Sequence, residues 1–243
     1  MIEIRNANKR YGAKIAVADL SLSIGKGELF AFLGPNGAGK TTTLKMLCGL
    51  LFPSEGTVTV GGFDLKTQGD EARKLISYVP DQPFLYEKLT GREFLQFTCD
   101  LYGMTPARAA ERIAAVIEMF HLHEFADELT ERYSHGMRQR TVFAAALAHG
   151  PQLLIADEPT VGLDPKSVRE LKAILKEQTR NGTTVFLSTH TLDIAQELAD
   201  RIGIIDRGRL MACGTLAELR ARAASDGNLE ELFMAITQEA ENA

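Results

Sequence analysis

"GPNGAGKT", Gly34 to Thr41, is the stretch on which the fold turns. A first glycine, four residues, then Gly39-Lys40-Thr41 is the spacing of a loop that cradles phosphate. The flanks agree with that reading. "ELFAFLG" before it reads as a buried strand, and "KTTTLKMLCGLL" after it reads as a helix. Glycines let the backbone curl so that successive N–H groups point inward at phosphate oxygens. The start of the following helix adds partial positive charge, and Lys40 adds a full one. Gly34, Pro35, Asn36, Gly37, Ala38, Gly39, Lys40, Thr41 and Thr42 are therefore the expected nucleotide-binding residues, with the Thr41 hydroxyl offered to Mg²⁺.

A second stretch complements the first. In "LLIADEP", Leu153 to Pro159, an apolar strand delivers Asp157 to its end, and Glu158 follows at once. Adjacent acids repel unless a cation lies between them. Asp157 is expected to hold Mg²⁺ through water, and Glu158 to act as general base on the attacking water.

Outward from these two stretches, short β-branched runs alternate with helical patterns, which predicts an α/β fold with a mostly parallel sheet. "TVTVGG", "LISYVP", "TTVFLSTH" and "IGIIDRG" read as further strands. From about 89 to 149 the pattern is almost wholly helical and reads as an inserted helical subdomain. It holds a capping box, Thr90 to Glu93, and a helix start at Thr105-Pro106. "TLAEL" carries a further capping box, Thr215 to Glu218, and "NLEELFMAIT" reads as a short amphipathic helix within a C-terminal helical tail, 221–243.

The bulk numbers exclude several classes. A net charge of −5 argues against general polyanion binding, so direct nucleic-acid contact is not expected. Cys48, Cys99 and Cys213 have no metal spacing and read as buried reduced thiols of a cytosolic protein. The longest apolar run, "VFAAALA", is far short of the roughly 20 residues that span a bilayer. The first residues have no apolar signal region. Any link to a membrane is expected to run through another protein.

Taken in order, these motifs resemble an ATP-binding-cassette (ABC) nucleotide-binding subunit over about residues 1–220. The resemblance implies a P-loop NTPase core of the ABC ATPase type, with an N-terminal antiparallel β region. It implies ATP as the nucleotide, Tyr11 of "KRYG" stacked on adenine, and a D-loop in "VGLDP" with Asp164. It makes His190, at the end of "TTVFLSTH", the switch residue at the γ-phosphate. "YSHGM", Tyr133 to Met137, stands at the family's signature, usually Leu-Ser-Gly-Gly-Gln. Ser134 is then expected to cap the next helix and, with Gly136, to grip ATP held by a second subunit in a head-to-tail dimer. His135 replaces a usual glycine and is expected to be a tolerated spacer or to point toward the partner subunit. Arg138 and Arg140 read as a solvated helix face. In the Q-loop, "YVPDQPFLYEKLT" puts Asp81 at the glutamine position, where it can ligate Mg²⁺ or orient water; Gln82 would be one residue out of register.

The functional expectation is the ATPase subunit of a transporter whose spanning permease is a separate chain. The subunit would lie on the cytoplasmic face, peripheral to the membrane. "FLYEKLTGREFL" resembles subunits of two-component exporters. A soluble ABC ATPase with a non-transport role, and a P-loop kinase, are the competing readings.

Overall fold

The computed structural model describes residues 1–222 and 233–234. Alternating buried and exposed residues build β1 (Ile2–Tyr11) and β2 (Lys14–Ile24), which pair as an antiparallel hairpin. β3 (Leu29–Leu33) is buried at every position, as suits a central strand covered on both faces. It runs into the phosphate loop and α1 (Lys40–Leu47). β4 (Glu55–Val60) and β5 (Phe63–Asp64) return to the hairpin and complete a four-stranded antiparallel sheet, β2-β1-β4-β5.

α2 (Gly69–Arg73) and β6 (Ile76–Val79) precede the helical stretch, α3 (Gly91–Leu101), α4 (Pro106–Met119) and α5 (His135–Ala148). The Thr90–Glu93 capping box is formed, with both reciprocal hydrogen bonds in place. Pro106 opens α4, although the Thr105 side chain makes no capping bond. α5 is buried on almost every side from Thr141 to Ala148, so it is the inner helix, packed on α3, α4 and β6.

The chain then returns to alternation. β7 (Leu153–Asp157), α6 (Pro165–Arg180), β8 (Thr184–Thr189), α7 (Leu192–Leu198) and β9 (Arg201–Asp206) follow in turn. β10 (Arg209–Gly214) and α8 (Leu216–Arg222) close the described core. The second sheet has the order β10-β9-β3-β8-β7-β6. All its pairs are parallel except β10 on β9. Of the expected C-terminal tail, only the end of α8 and the helical pair Phe233–Met234 fall within the described residues.

One apolar cluster glues the two sheets. Ile2, Ile4 and Leu22 meet Phe30, Phe32 and Phe186, with Leu44 and Met46 of α1 filling between. The Phe30 and Phe186 rings lie 5.6 Å apart. A second cluster joins α3, α4 and α5 to the other face of the parallel sheet and to Leu171 and Leu175 of α6.

Two expectations change. Cys48 and Cys99 are buried free thiols, but Cys213 is half-buried, with its Sγ 3.2 Å from Nη2 of Arg201. Arg138 and Arg140 are not a solvated face. Arg138 donates to the carbonyls of Tyr133 and Glu131, and Arg140 lies over the Phe125 ring, 5.1 Å from its centre. Their stems lie along α5, which is buried, and their heads satisfy loop carbonyls.

Candidate nucleotide site and the segments around it

The register of the parallel sheet assembles the site. Leu33 pairs with Thr189, and Asp157 pairs with Ser188, so β3, β8 and β7 end on the same edge. Ligands of open α/β sheets lie outside such carboxyl ends. Here the edge opens on a cavity of about 420 Å³ lined by the phosphate loop, by Tyr11, Lys14 and Ala16 from the β1–β2 hairpin, and by Asp81, Asp157 and Glu158.

Within the loop, roles divide. Pro35, Asn36, Gly37, Gly39, Lys40, Thr41 and Thr42 line the cavity. Gly34 and Ala38 lie behind it: a Cβ at Gly34 would meet the Ile205 carbonyl oxygen, and Ala38 is 3% exposed in the core. Gly34 is thus glycine for close packing on β9. Gly39 is glycine for two reasons, a φ of 109° and a backbone approach to the Ala16 carbonyl, which a Cβ would meet at 2.6 Å.

Lys40 opens α1, and its ammonium is buried. It donates to the Gly34 carbonyl at 2.7 Å and lies 3.6 Å from Oε1 of Glu158. The Thr41 hydroxyl donates to Oδ2 of Asp157 at 3.4 Å. Burial of Asp157 pushes its carboxyl above the ordinary value; the neighbouring Ser188 hydroxyl and Lys40 oppose this, while Glu158 and Asp81 add to it. Three acids thus crowd around one cavity wall, where a cation would relieve them. These are hard oxygen donors, the chemistry Mg²⁺ takes. No group of three or more His, Cys, Asp or Glu that could cage a metal exists among the described residues. That fits an ion completed by phosphate oxygens and water rather than by protein alone.

Glu158 has a left-handed φ of 47°, unusual for a residue with a side chain, and this turns its carboxylate away from the line of β7. His190 does not line the cavity, but its Nδ1 lies 2.9 Å from Oε1 of Glu158. The sequence did not reveal that contact, because β8 and β7 are neighbours only in the folded sheet.

Asp81 lines the cavity and Gln82 does not. Ser134 caps α5, accepting from the Met137 N–H at 3.3 Å. Ser134, Gly136 and Asp164 all lie outside the cavity. The Asp164 carboxylate caps α6, accepting from the N–H groups of Lys166 and Ser167 and from the Ser167 hydroxyl at 2.6 Å. These bonds hold it below the usual carboxylate range. The Asp-Pro sequence at 164–165 is a helix-start signal that foretells this cap. Lys14 and Ala16, which line the cavity, carried no sequence signal.

A phosphate loop at the end of a central parallel strand, faced by a strand-end Asp-Glu pair, defines a nucleotide-hydrolysing α/β domain. The model of the family described as "ABC transporter" matches residues 17–161, and the chain belongs to that family as an ATP-binding and ATP-hydrolysing subunit. It is 42% identical over 226 residues to the linearmycin resistance ATP-binding protein LnrL of Bacillus subtilis (strain 168), covering 93% of this chain and 73% of that one. The SkfA peptide export ATP-binding protein SkfE of the same strain is 41% identical over 212 residues, with 87% of each chain covered. A solved ATP-binding subunit of an ABC transporter superposes with a TM-score of 0.92 at 32% identity, covering 98% of this chain and 99% of that one. A dimeric ATP-binding cassette in a post-hydrolysis state, bound to ADP and phosphate, gives 0.81 at 28%, covering 89% and 99%.

Proposed function

We propose that the chain hydrolyses Mg²⁺-ATP at a site shared by two copies, and that this drives export through a separate membrane permease. The observation that carries the chemistry is the meeting of Lys40, Asp157 and Glu158 at one cavity wall. Lys40 and the loop N–H groups bind the β- and γ-phosphates. Tyr11, half exposed at the cavity rim, offers a ring face to the adenine. Thr41 and Asp157, with Asp81 beside them, hold the Mg²⁺, which supplies charge neutralisation at the phosphates. Glu158 accepts a proton from the attacking water as the bond from the γ-phosphorus to the bridging oxygen breaks, leaving ADP and phosphate. His190 orients Glu158 from the other side.

Gly136 supports the two-copy site. A glycine in a helix costs about 0.5–1 kcal/mol relative to alanine. Beyond its own helix backbone, nothing among the described residues lies within 4 Å of where its Cβ would stand, and its φ is not left-handed. No contact among the described residues requires the glycine, which supports a role for it outward, toward a phosphate brought by a second copy. Ser134 and the α5 N–H groups stand ready for the same anion. In such a head-to-tail pair, Asp164 fixes the start of α6 at the dimer face.

An exposed aromatic ridge supports the permease contact. Phe84, Tyr86, Phe97 and Leu101 are 66%, 48%, 38% and 69% exposed. The Phe84 and Phe97 rings each sit edge-on to Tyr86 at 5.4 Å. An apolar ridge of this kind marks a binding surface. It begins three residues after Asp81, so a partner seated there is connected to the cavity. No described helix is long and apolar enough to cross a membrane; on this reading the spanning part is that partner, and the chain docks on its cytoplasmic face. The export direction rests on relatives such as the SkfA peptide export protein. A soluble non-transport role leaves the ridge without an occupant.

Steady-state phosphate release from the purified chain tests the reading, with and without chelator, beside Lys40→Ala. Truncating a buried charge that faces phosphate costs about 2–5 kcal/mol, so the variant is expected to lose ATP binding in equilibrium titration. Unchanged affinity in Lys40→Ala, or hydrolysis indifferent to chelator, overturns it.

A further inference from the structure

α5 is fastened at two points to the loop that carries Glu158. His135 and Gln139 stand one helical turn apart, on the same face of the helix. Nε2 of His135 lies 3.3 Å from the Val161 carbonyl oxygen, and Nε2 of Gln139 lies 3.3 Å from that of Pro159. A carbonyl only accepts, so the imidazole donates from Nε2–H. Gln139 is 1% exposed, so its bond to Pro159 forms away from water. Between the two anchored carbonyls and the end of β7 sits Glu158, in its left-handed conformation. Such a backbone persists only where its surroundings hold it.

Gly162 completes the contact. Its φ is 75°, and a Cβ built there would come within 2.8 Å of Nε2 and 2.9 Å of Cδ2 of His135. The imidazole therefore lies flush against the loop backbone, in space that any side chain at 162 would contest. His135 faces its own chain's loop and is bonded to it.

We infer that His135 is a positioning residue for hydrolysis: with Gln139 it holds the 158–163 loop so that the Glu158 carboxylate stays aimed into the cavity. It does not itself line the cavity, so it acts on turnover and not on nucleotide affinity. The contact also ties the start of α5, where Ser134 and Gly136 stand, to the same chain's general base. A nucleotide gripped by that helix start in the dimer would thereby tighten the loop beside it. The inference rests on the reading of Glu158 given above.

The test measures kcat, KM for ATP and thermal midpoint for wild type, His135→Gly, His135→Gln, Gly162→Ala and the His135→Gly/Gly162→Ala pair. One lost hydrogen bond predicts a fall in kcat of roughly three- to tenfold in His135→Gly. KM stays at the wild-type value; the midpoint falls slightly, because glycine frees the backbone at the start of the helix and a hydrogen bond is lost. His135→Gln, whose amide nitrogen reaches as far as Nε2, restores most of the rate. Gly162→Ala costs more in wild type than in His135→Gly, where only the backbone strain remains. Wild-type kcat in His135→Gly overturns the inference. So does a loss that tracks KM, a His135→Gln rate no higher than that of His135→Gly, or an equal cost of Gly162→Ala in both backgrounds. Glu158→Gln separates the two layers: wild-type turnover there sinks the general-base reading, whereas wild-type turnover in His135→Gly alone sinks only the tether.

Discussion

Nδ1 of His190 lies 2.9 Å from Oε1 of Glu158, and the His190 backbone N–H donates to Oε2 at 3.3 Å. With Lys40 3.6 Å from the same Oε1, the carboxylate is held from two sides at the cavity wall. Glu158→Gln keeps an oxygen for His190 and nearly the same shape but removes the base. General-base catalysis contributes about 10²–10⁴-fold. The variant is expected to bind ATP normally and to lose at least about a hundredfold in steady-state phosphate release. Turnover close to wild type would move the water-activating role to another residue.

The two candidate residues at the Q-loop position, Asp81 and Gln82, separate cleanly. Asp81 lines the cavity and adds negative charge to the surroundings of Asp157, whereas Gln82 lies outside the lining. Asp81→Ala is expected to lower kcat several-fold, and Gln82→Ala to leave it near wild type. A Mg²⁺ titration of the rate checks the assignment, because Asp81→Ala should also need more Mg²⁺ for half-maximal activity. If Gln82→Ala proves the more damaging, the loop's working register is one residue later.

How legible the molecule was from its sequence follows from the range of each interaction. β3, β7 and β8 are apolar runs buried on both faces, so composition alone marked them. The phosphate loop is a local device whose pattern lies within eight positions, although its packing also answers to Ala16 and Ile205. The Glu158–His190 and His135–Val161 contacts close over 32 and 26 residues and depend on sheet order and loop path. No local pattern encodes those. Arg140 misled for a related reason: a basic residue on a helix reads as solvated until the Phe125 ring that covers it is known.

His149 gives stability a pH dependence. Its ring stacks on Tyr102 with 3.5 Å between centres, and neither ring nitrogen has a hydrogen-bond partner among the described residues. Burial, helped by Arg112, lowers its pKa from 6.5 to about 4. The unfolded chain therefore binds the proton first. The stability that comes from keeping the ring neutral is complete above pH 6.5 and is lost as pH falls toward about 4. With the ring partly exposed, the loss between pH 7.5 and 5 is on the order of 1 kcal/mol. His149→Phe keeps a flat ring on Tyr102 and cannot titrate. Urea midpoints at the two pH values should diverge less for this variant than for wild type; equal divergence would assign the acid sensitivity to other groups.

The dimer turns on Gly136. An aspartate there stands in the first turn of α5, where its charge favours the helix by about 0.3–1 kcal/mol, and among the described residues nothing obstructs its Cβ. Gly136→Asp should therefore fold as well as wild type or slightly better. The same carboxylate would repel a γ-phosphate presented by a second copy and fill the space that phosphate needs. ATP binding to the single chain should survive, since Lys40 and its loop are untouched. In a Glu158→Gln background, where ATP is bound but not consumed, light scattering should show an ATP-dependent dimer for the parent and a monomer for Gly136→Asp. Gly136→Ala, which adds bulk without charge, should weaken the dimer less. A Gly136→Asp protein that dimerises with ATP as the parent does would mean that α5 meets no phosphate across the interface, and the shared-site reading would fall.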